Sequence, residues 1–296
     1  MKCINKNHTI RDILLRLILV VFSFIAINTN AIAKEKDLID LAISHNKNGE
    51  YYNSITEIMR YQYIYPTGKF YPLSMLIISE AYYKGGNFNK AINILTECNE
   101  KFRNTPEGEK ALLKNGRVKL AMSSPHFAYR TYKEYEYIYP EGKHKEDIMR
   151  DLCFTFTLMK DLRSAGEAVK KYEDRYSDGK YLEEIKELQH LIDDEINRPK
   201  KNVWISVLGS IFIPGFGHFY TGKYEVGFLS FISNAALIYC FYDGYRDRSK
   251  VRMLVFGLAE FSFYQYSLYS SITNVYDYNN NEAFYKTIRL KAIKEF

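Results

Sequence analysis

The sequence has little of what marks an enzyme. Four cysteines in 296 residues, widely spaced, exclude a disulfide framework. There is no C-x-x-C pair, no H-E-x-x-H, no phosphate-cradling glycine loop and no G-x-S-x-G elbow, so no catalytic residue is nominated and the chain reads as a non-enzyme. Six histidines are dispersed without ligand spacing, so no metal and no cofactor is expected. The formal net charge of +6 is spread along the chain. It forms no dense basic stripe, which argues against nucleic acid as a partner. With 47% hydrophobic and 26% charged residues, disorder is excluded as the general state. What is abundant is aromatic: 27 Tyr and 19 Phe, residues that suit protein surfaces or membrane boundaries.

The N-terminal residues 1–33 have the pattern of an export signal. Lys2, Lys6 and Arg11 precede the apolar run Leu17 to Ile27, and Ala31-Ile32-Ala33 supplies an A-x-A site ahead of Lys34-Glu35-Lys36. Cleaved or kept as an anchor, such a leader sends the following domain across a membrane. Cys3 lies ahead of the apolar run, so no N-terminal lipid anchor is expected. The three cysteines beyond it, Cys98, Cys153 and Cys240, are odd in number, and Cys98 and Cys153 fall on apolar helical positions, as buried free thiols do. The only N-x-[ST] acceptor, Asn7-His8-Thr9, lies in the leader, which leans toward a bacterial envelope.

Residues 34–197 repeat with a period of 37. Tyr63-Ile64-Tyr65-Pro66-Thr67-Gly68 returns as Tyr137-Ile138-Tyr139-Pro140-Glu141-Gly142, two periods later. An aromatic column reads Tyr65, Phe102, Tyr139, Tyr176. A turn-glycine column reads Gly68, Gly142, Gly179 and fails at Thr105. A large column reads Ile58, Leu95, Tyr132, Val169. Two small columns read Ala42, Ser79, Gly116, Cys153 and Ser54, Ala91, Ala128, Ala165. Two antiparallel helices approach closely only where one side chain is small and its neighbour fills the gap. Stacked units then bury a continuous core. First helices are expected near 36–47, 73–84, 110–121 and 147–158, second helices near 51–62, 88–100, 126–137 and 162–174. Pro66 and Pro140 follow helix ends, and Tyr181 to Asn197 reads as a polar capping helix.

The segment Glu80-Ala-Tyr-Tyr-Lys-Gly-Gly-Asn-Phe-Asn-Lys-Ala-Ile-Asn-Ile-Leu95 resembles a tetratricopeptide repeat. The long unit with its Tyr-Pro-x-Gly turn is similar to tetratricopeptide proteins of the bacterial periplasm and of outer-membrane assembly. The resemblance spans residues 36–196. It implies a scaffold that takes a protein or peptide segment in a concave groove, with Tyr52, Tyr83, Tyr132 and Tyr135 as candidate partner-binding residues; packing within the repeats is the alternative for each tyrosine.

After Arg198-Pro-Lys-Lys201 the composition changes. Val203 to Thr221, Tyr224 to Tyr242 and Met253 to Thr273 are three apolar stretches of about 20 residues, the length that crosses a bilayer as a helix. A membrane domain is therefore expected over 198–275, followed by a polar tail, 276–296. Pro214-Gly215-x-Gly217-His218-x-Tyr220-x-Gly222, with Gly227 following, resembles the small two-transmembrane domain fused to many bacterial envelope proteins. The resemblance covers 203–243 and implies a tightly packed helical hairpin with a kinked first leg, whose role carries no assigned activity. The basic loop from Asp243 to Arg252 favours a cytoplasmic position by the positive-inside rule. With the repeats exported, that makes 203–221 re-entrant and leaves two spans; three spans would put the loop outside. Glu260 is an intramembrane ionisable candidate with His218 as a possible partner.

The fold class is accordingly all-α: a helix-pair solenoid, then a transmembrane hairpin and a third apolar helix. The expected function is a membrane-anchored interaction scaffold in a bacterial inner membrane, its repeats on the periplasmic side, its partners an unidentified envelope protein or peptide and membrane lipid. The alternatives are a small transporter or membrane-protein assembly factor with the C-terminal helices active, and a membrane enzyme.

Overall fold

The computed structural model describes residues 34–293, and among them every regular element is a helix. The expected leader, residues 1–33, lies outside the described residues. Contacts divide the chain into two compact units. One runs through Gln189 and takes up the chain again from Arg289; the other is His190–Ile288. The division falls inside the expected capping helix instead of at Arg198.

Unit 1 alternates first and second helices as the 37-residue period requires. They are α1 (34–47), α2 (Tyr51–Ile64), α3 (Tyr71–Lys84), α4 (Phe88–Lys101), α5 (Pro106–Ala121), α6 (Pro125–Ile138), α7 (Lys145–Leu158), α8 (Leu162–Arg175) and the start of α9 (Leu182–Asn197). Local chemistry sets the starts. The Asn87 and Asp161 side chains accept from the backbone N–H of Lys90 (3.3 Å) and Ser164 (3.1 Å), and Thr105 accepts from Gly108 (3.2 Å). Pro72, Pro106 and Pro125 occupy first turns, where a missing N–H costs nothing.

Packing follows the small and large columns. Ala42, Ser79 and Cys153 are fully buried, as are Ile58, Leu95 and Tyr132, with Val169 nearly so. Where the small position is Gly116, the large one is Tyr132, whose ring fills the space a Cβ would take. Where the small position is the bulkier Cys153, the large one shrinks to Val169. Each buried Leu, Ile or Val contributes ~1.5–3 kcal/mol of apolar transfer, so the matched pairs hold the helices in register.

Unit 2 contains α10 (Val203–Phe212), α11 (Phe216–Tyr220), α12 (Tyr224–Arg246), α13 (Lys250–Asn280) and the first part of α14 (Glu282–Ala292). Helix α13 packs against α10, α11 and α12. Three features bear on the expectations for this unit. The kink expected in 203–221 is a full break: Pro214 and the left-handed Gly215 (φ 90°) split the stretch into a ten-residue and a five-residue piece. The expected polar tail is helical: α13 continues to Asn280, and Asn281, at φ 45°, turns the chain into α14. Of the three apolar stretches, one forms a helix long and apolar enough to cross a membrane, Tyr224–Arg246. Helix α13 is longer but carries Lys250, Arg252, Glu260 and many serines and tyrosines.

Candidate functional site

In unit 1 the turn-glycine column is explained by two side chains. The Tyr135 hydroxyl donates to the Glu109 carboxylate and accepts from the His144 backbone N–H (3.0 Å). Tyr172 repeats this with Glu146 (2.7 Å) and the Tyr181 N–H (3.2 Å), and Tyr61 with Glu35 (3.3 Å) and the Phe70 N–H (3.1 Å). A Cβ on Gly179 would lie 2.7 Å from both the Tyr172 hydroxyl and the Glu146 carboxylate, and Gly68 and Gly142 meet the equivalent pairs. The turn must be glycine because the pair occupies that space. In the remaining unit the tyrosine position is Cys98 and the glutamate position is Pro72; with the pair gone, the glycine is released and Thr105 stands there. Burial, then the neighbouring carboxylate, pushes the Tyr61 hydroxyl up to about 12 and those of Tyr135 and Tyr172 well above the ordinary range.

The first helices are tied to one another by ion pairs 34 residues apart. Lys114 reaches Glu80 (3.2 Å), Arg117 reaches Asp151 (2.6 Å) and Arg150 reaches Glu184 (2.6 Å). Arg150 is fully buried. It also bonds Asp151 (2.8 Å) and the carbonyls of Ala292 (3.0 Å) and Lys291 (3.1 Å), the last turn of α14. Burial works against the Asp147 carboxylate, yet bonds from His144, Tyr181 and Lys180 outweigh it and hold the group well below the usual range. Cys98 and Cys153 are free and buried, and burial pushes both thiols up to about 12, which keeps them protonated and inert.

The four candidate partner tyrosines separate. Tyr132 and Tyr135 are fully buried with their hydroxyls bonded to Asp151 (3.3 Å) and Glu109; they are packing residues, which corrects their nomination, because the large column and the turn column each demand an interior ring. Tyr83 is half-buried and its ring lies 5.6 Å from that of Phe88. Tyr52 is 81% exposed and lines, with Tyr51 and Tyr82, a pocket of about 510 Å³ where α2 starts and α3 ends. The signal that sequence reading missed is the glutamate column, Glu35, Glu109 and Glu146, which keeps the same period.

In unit 2 the glycine-rich motif is a set of close approaches. Pro214 ends α10, and the Gly215 N–H donates to Ser267 Oγ (2.9 Å). The Gly217 N–H donates to Ser210 Oγ (2.9 Å), and a Cβ on Gly217 would fall on Ser271. Ser206 Oγ donates to the Ser271 carbonyl (2.9 Å). His218 is buried: Asn274 Nδ2 faces its Nδ1 (2.7 Å) and Ser270 Oγ its Nε2 (3.1 Å). Lys223 Nζ donates to Asn274 Oδ1 (2.7 Å), so the amide turns its N–H toward the ring and His218 Nδ1 accepts. The Tyr220 hydroxyl accepts from the Asn202 N–H (3.2 Å). Gly222 takes the left-handed turn into α12, and Gly227 lies against the Phe219 ring. Asn202 precedes α10 and Tyr220 ends α11, so the two short helices leave and return at one end of unit 2. Glu260 is not brought to His218 by any hydrogen bond among the described residues; one of its carboxylate oxygens is buried without a partner there.

The polarity of unit 2 is inverted. Around α10 to α13 the buried residues are mostly polar or small, among them Ser206, Ser210, Ser267, Ser271, Asn234 and Asn274 with several glycines and the apolar Val275, while Trp204, Phe212, Phe228, Leu229, Leu254 and Phe261 are exposed. Ser267, Ser270, Ser271 and Asn274 form one stripe on α13, at i, i+3, i+4 and i+7, buried in the unit. Among the described residues there is no cluster of groups able to hold a metal.

No family model and no curated protein matches the sequence. Among solved structures, the nearly identical TPR-like repeats described as those of a Podosopora anserina kinesin light chain match with 12% identity and a TM-score of 0.42, covering 57% of this chain and 99% of that one. A point variant of the same repeats matches with 12% identity and a TM-score of 0.43, over 57% and 98%. The helix-pair architecture of unit 1 stands on its own repeats.

Proposed function

We propose that the chain is a membrane-anchored scaffold, with unit 1 binding a protein partner and unit 2 lying in a bilayer. The observation that carries the anchor is the inverted polarity of unit 2. In water an exterior of Trp, Phe, Leu and Ile over an interior of Ser, Asn and Gly forfeits the hydrophobic effect; in hydrocarbon it turns most polar groups inward and leaves apolar surface to lipid. Helix α12, with 23 residues, spans about 35 Å at ~1.5 Å per residue, enough for a hydrocarbon core of ~30 Å. The serine stripe explains the modest hydropathy of α13: its polar face is turned into the unit, and Leu254, Leu258, Phe261 and Tyr266 face out. In this reading α12 and α13 cross, and α10 with α11 is a re-entrant pair, entering and leaving on the side of Asn202.

The scaffold role is supported by a unit 1 made of helix-pair repeats, a form that offers extended surface, with Tyr52 accessible beside an open pocket. The leader-like residues 1–33 support export of unit 1 into a bacterial periplasm. Alkaline carbonate extraction of cell membranes tests the anchor. Retention of the full chain in the pellet is expected, and release into the supernatant would overturn it. A second reading, a small transporter or assembly factor, is favoured by the buried His218–Asn274 pair, which the exposed Lys223 connects to the surface; loss of the cellular phenotype in His218→Ala at normal protein level would select it.

A further inference from the structure

We propose that unit 2 holds the phosphate headgroup of an anionic phospholipid at the end where α10 begins, with Lys201 as its principal ligand. The inference rests on the membrane reading of unit 2. The Lys201 ammonium lies 4.7 Å from the ring centre of Tyr220 and 5.4 Å from that of Tyr278. Its backbone is pinned on both sides by one residue: the Lys201 N–H donates to Asn279 Oδ1 (2.8 Å), and Asn279 Nδ2 donates to the Lys201 carbonyl (2.9 Å). The ammonium is thus held in a defined place between two aromatic faces, and among the described residues no carboxylate neutralises it.

Its neighbours do not share that condition. Arg198 and Lys200 divide one carboxylate, Glu195, at 2.8 Å each, and Lys223 has Asp277 at 3.9 Å. Of these four cations, three pair with Glu195 or Asp277, and Lys201, the lysine held by the tyrosines, is the one without a carboxylate partner among the described residues. A free ammonium on a flexible side chain would be an ordinary solvated charge. This one is positioned before any ligand arrives, which lowers the ordering cost of binding an anion.

Location selects the kind of anion. Lys201 stands at the border between charged and apolar surface: the exposed apolar exterior begins within one helical turn, at Trp204, which is 72% exposed. A lipid is the anion that brings an acyl chain to the apolar side of that border and a phosphate to the charged side. Tyrosine and tryptophan at such a level are the residues of a membrane–water interface, and a basic side chain there gains from an anionic leaflet.

Trp204 is the single tryptophan of the chain and reports on lipid at this position. The full-length protein is reconstituted in vesicles in which either phosphatidylglycerol or phosphatidylcholine carries brominated chains, and quenching of Trp204 fluorescence is compared. Brominated phosphatidylglycerol is expected to compete for the site about fivefold better than phosphatidylcholine. Lys201→Gln is expected to bring that ratio to unity, and Lys201→Arg to keep it. Equal quenching by the two lipids in the wild-type protein would overturn the headgroup site and leave the membrane reading standing. Absence of quenching by either would remove the membrane reading and the site with it. Loss of selectivity on adding inorganic phosphate at constant ionic strength would assign the site to a soluble anion and overturn the lipid.

Discussion

The two units bury opposite kinds of residue with the same kind of helix. Unit 1 hides Ile39, Ile58, Leu95, Leu120 and Val169 and turns lysines and glutamates outward; unit 2 hides Ser206, Ser210, Ser271 and Asn274 and turns Phe212, Phe228 and Leu229 outward. Both need glycine for close approach, at Gly116 against Tyr132 and at Gly217 against Ser271. The close contact therefore says nothing about the solvent; the chemistry of what is left outside does. Unit 1 is also not purely apolar within. It buries the ion-pair ladder through Arg117, Asp151 and Arg150, and there the charges are satisfied by one another.

That contrast can be broken most severely at the ladder. Arg150→Ala takes one donor from Asp151, which keeps Arg117, and leaves Glu184 and two carbonyls without theirs, and a loss of ~3–5 kcal/mol in stability is expected, read by chemical denaturation in detergent. Arg246→Ala, at an exposed pair with Asp243 (3.1 Å), is expected to change stability by less than ~1 kcal/mol. Next comes one deletion placed in each unit. Leu95→Ala, at a fully buried position, is expected to cost ~2–5 kcal/mol. Leu229→Ala, 68% exposed, should leave the fold intact and weaken partition into vesicles. Equal loss of fold stability at both sites would mean that protein, not lipid, covers α12.

Smaller effects sharpen the comparison. Gly217→Ala pushes α11 from α13 and is expected to cost ~1–3 kcal/mol. Gly166→Ala in α8 meets nothing within 4 Å and should stabilise unit 1 by up to ~1 kcal/mol through helix propensity. Opposite shifts in thermal midpoint check the pair. The smallest effect is alkaline. Burial and Glu35 raise the Tyr61 hydroxyl from 10.0 to about 12, so the folded state holds a proton that the unfolded chain gives up first. The stabilising contribution is whole below pH 10.0 and is lost as pH rises through about 12. Tyr61→Phe should flatten that part of the stability profile; an unchanged profile would assign the alkaline loss to other groups.

Much of unit 1 was legible because its period ties distant residues to one geometry. The columns gave helices α1 to α9 within a few residues, and Gly116 opposite Tyr132 follows from size alone. The failure at Thr105 reads as noise in the sequence and becomes lawful only when Cys98 and Pro72 are seen to have lost the Tyr–Glu pair together. Tyr132 and Tyr135 were nominated as partner-binding residues because an aromatic pattern does not tell an interior ring from a groove-lining one. Unit 2 was legible as apolar and in its break, but not in how its longest helix is covered. Pro214 and Gly215 announce a kink, yet nothing local says that α13 carries a serine stripe which needs covering. The last turn of α13 and helix α14 were missed because the sequence from Tyr276 on is polar on average, while α14 buries Ile288 and Ala292 on one face.

The central claim is that unit 2 lies in a bilayer with two crossing helices, α12 and α13. Single cysteines at Lys180, Ser249 and Asn280, with the native cysteines replaced, tested with a membrane-impermeant thiol reagent in intact cells, address it directly. Labelling at 180 and 280 with protection at 249 is the expected result. Labelling at 249 together with 180, or labelling at all three, would contradict the two-span arrangement.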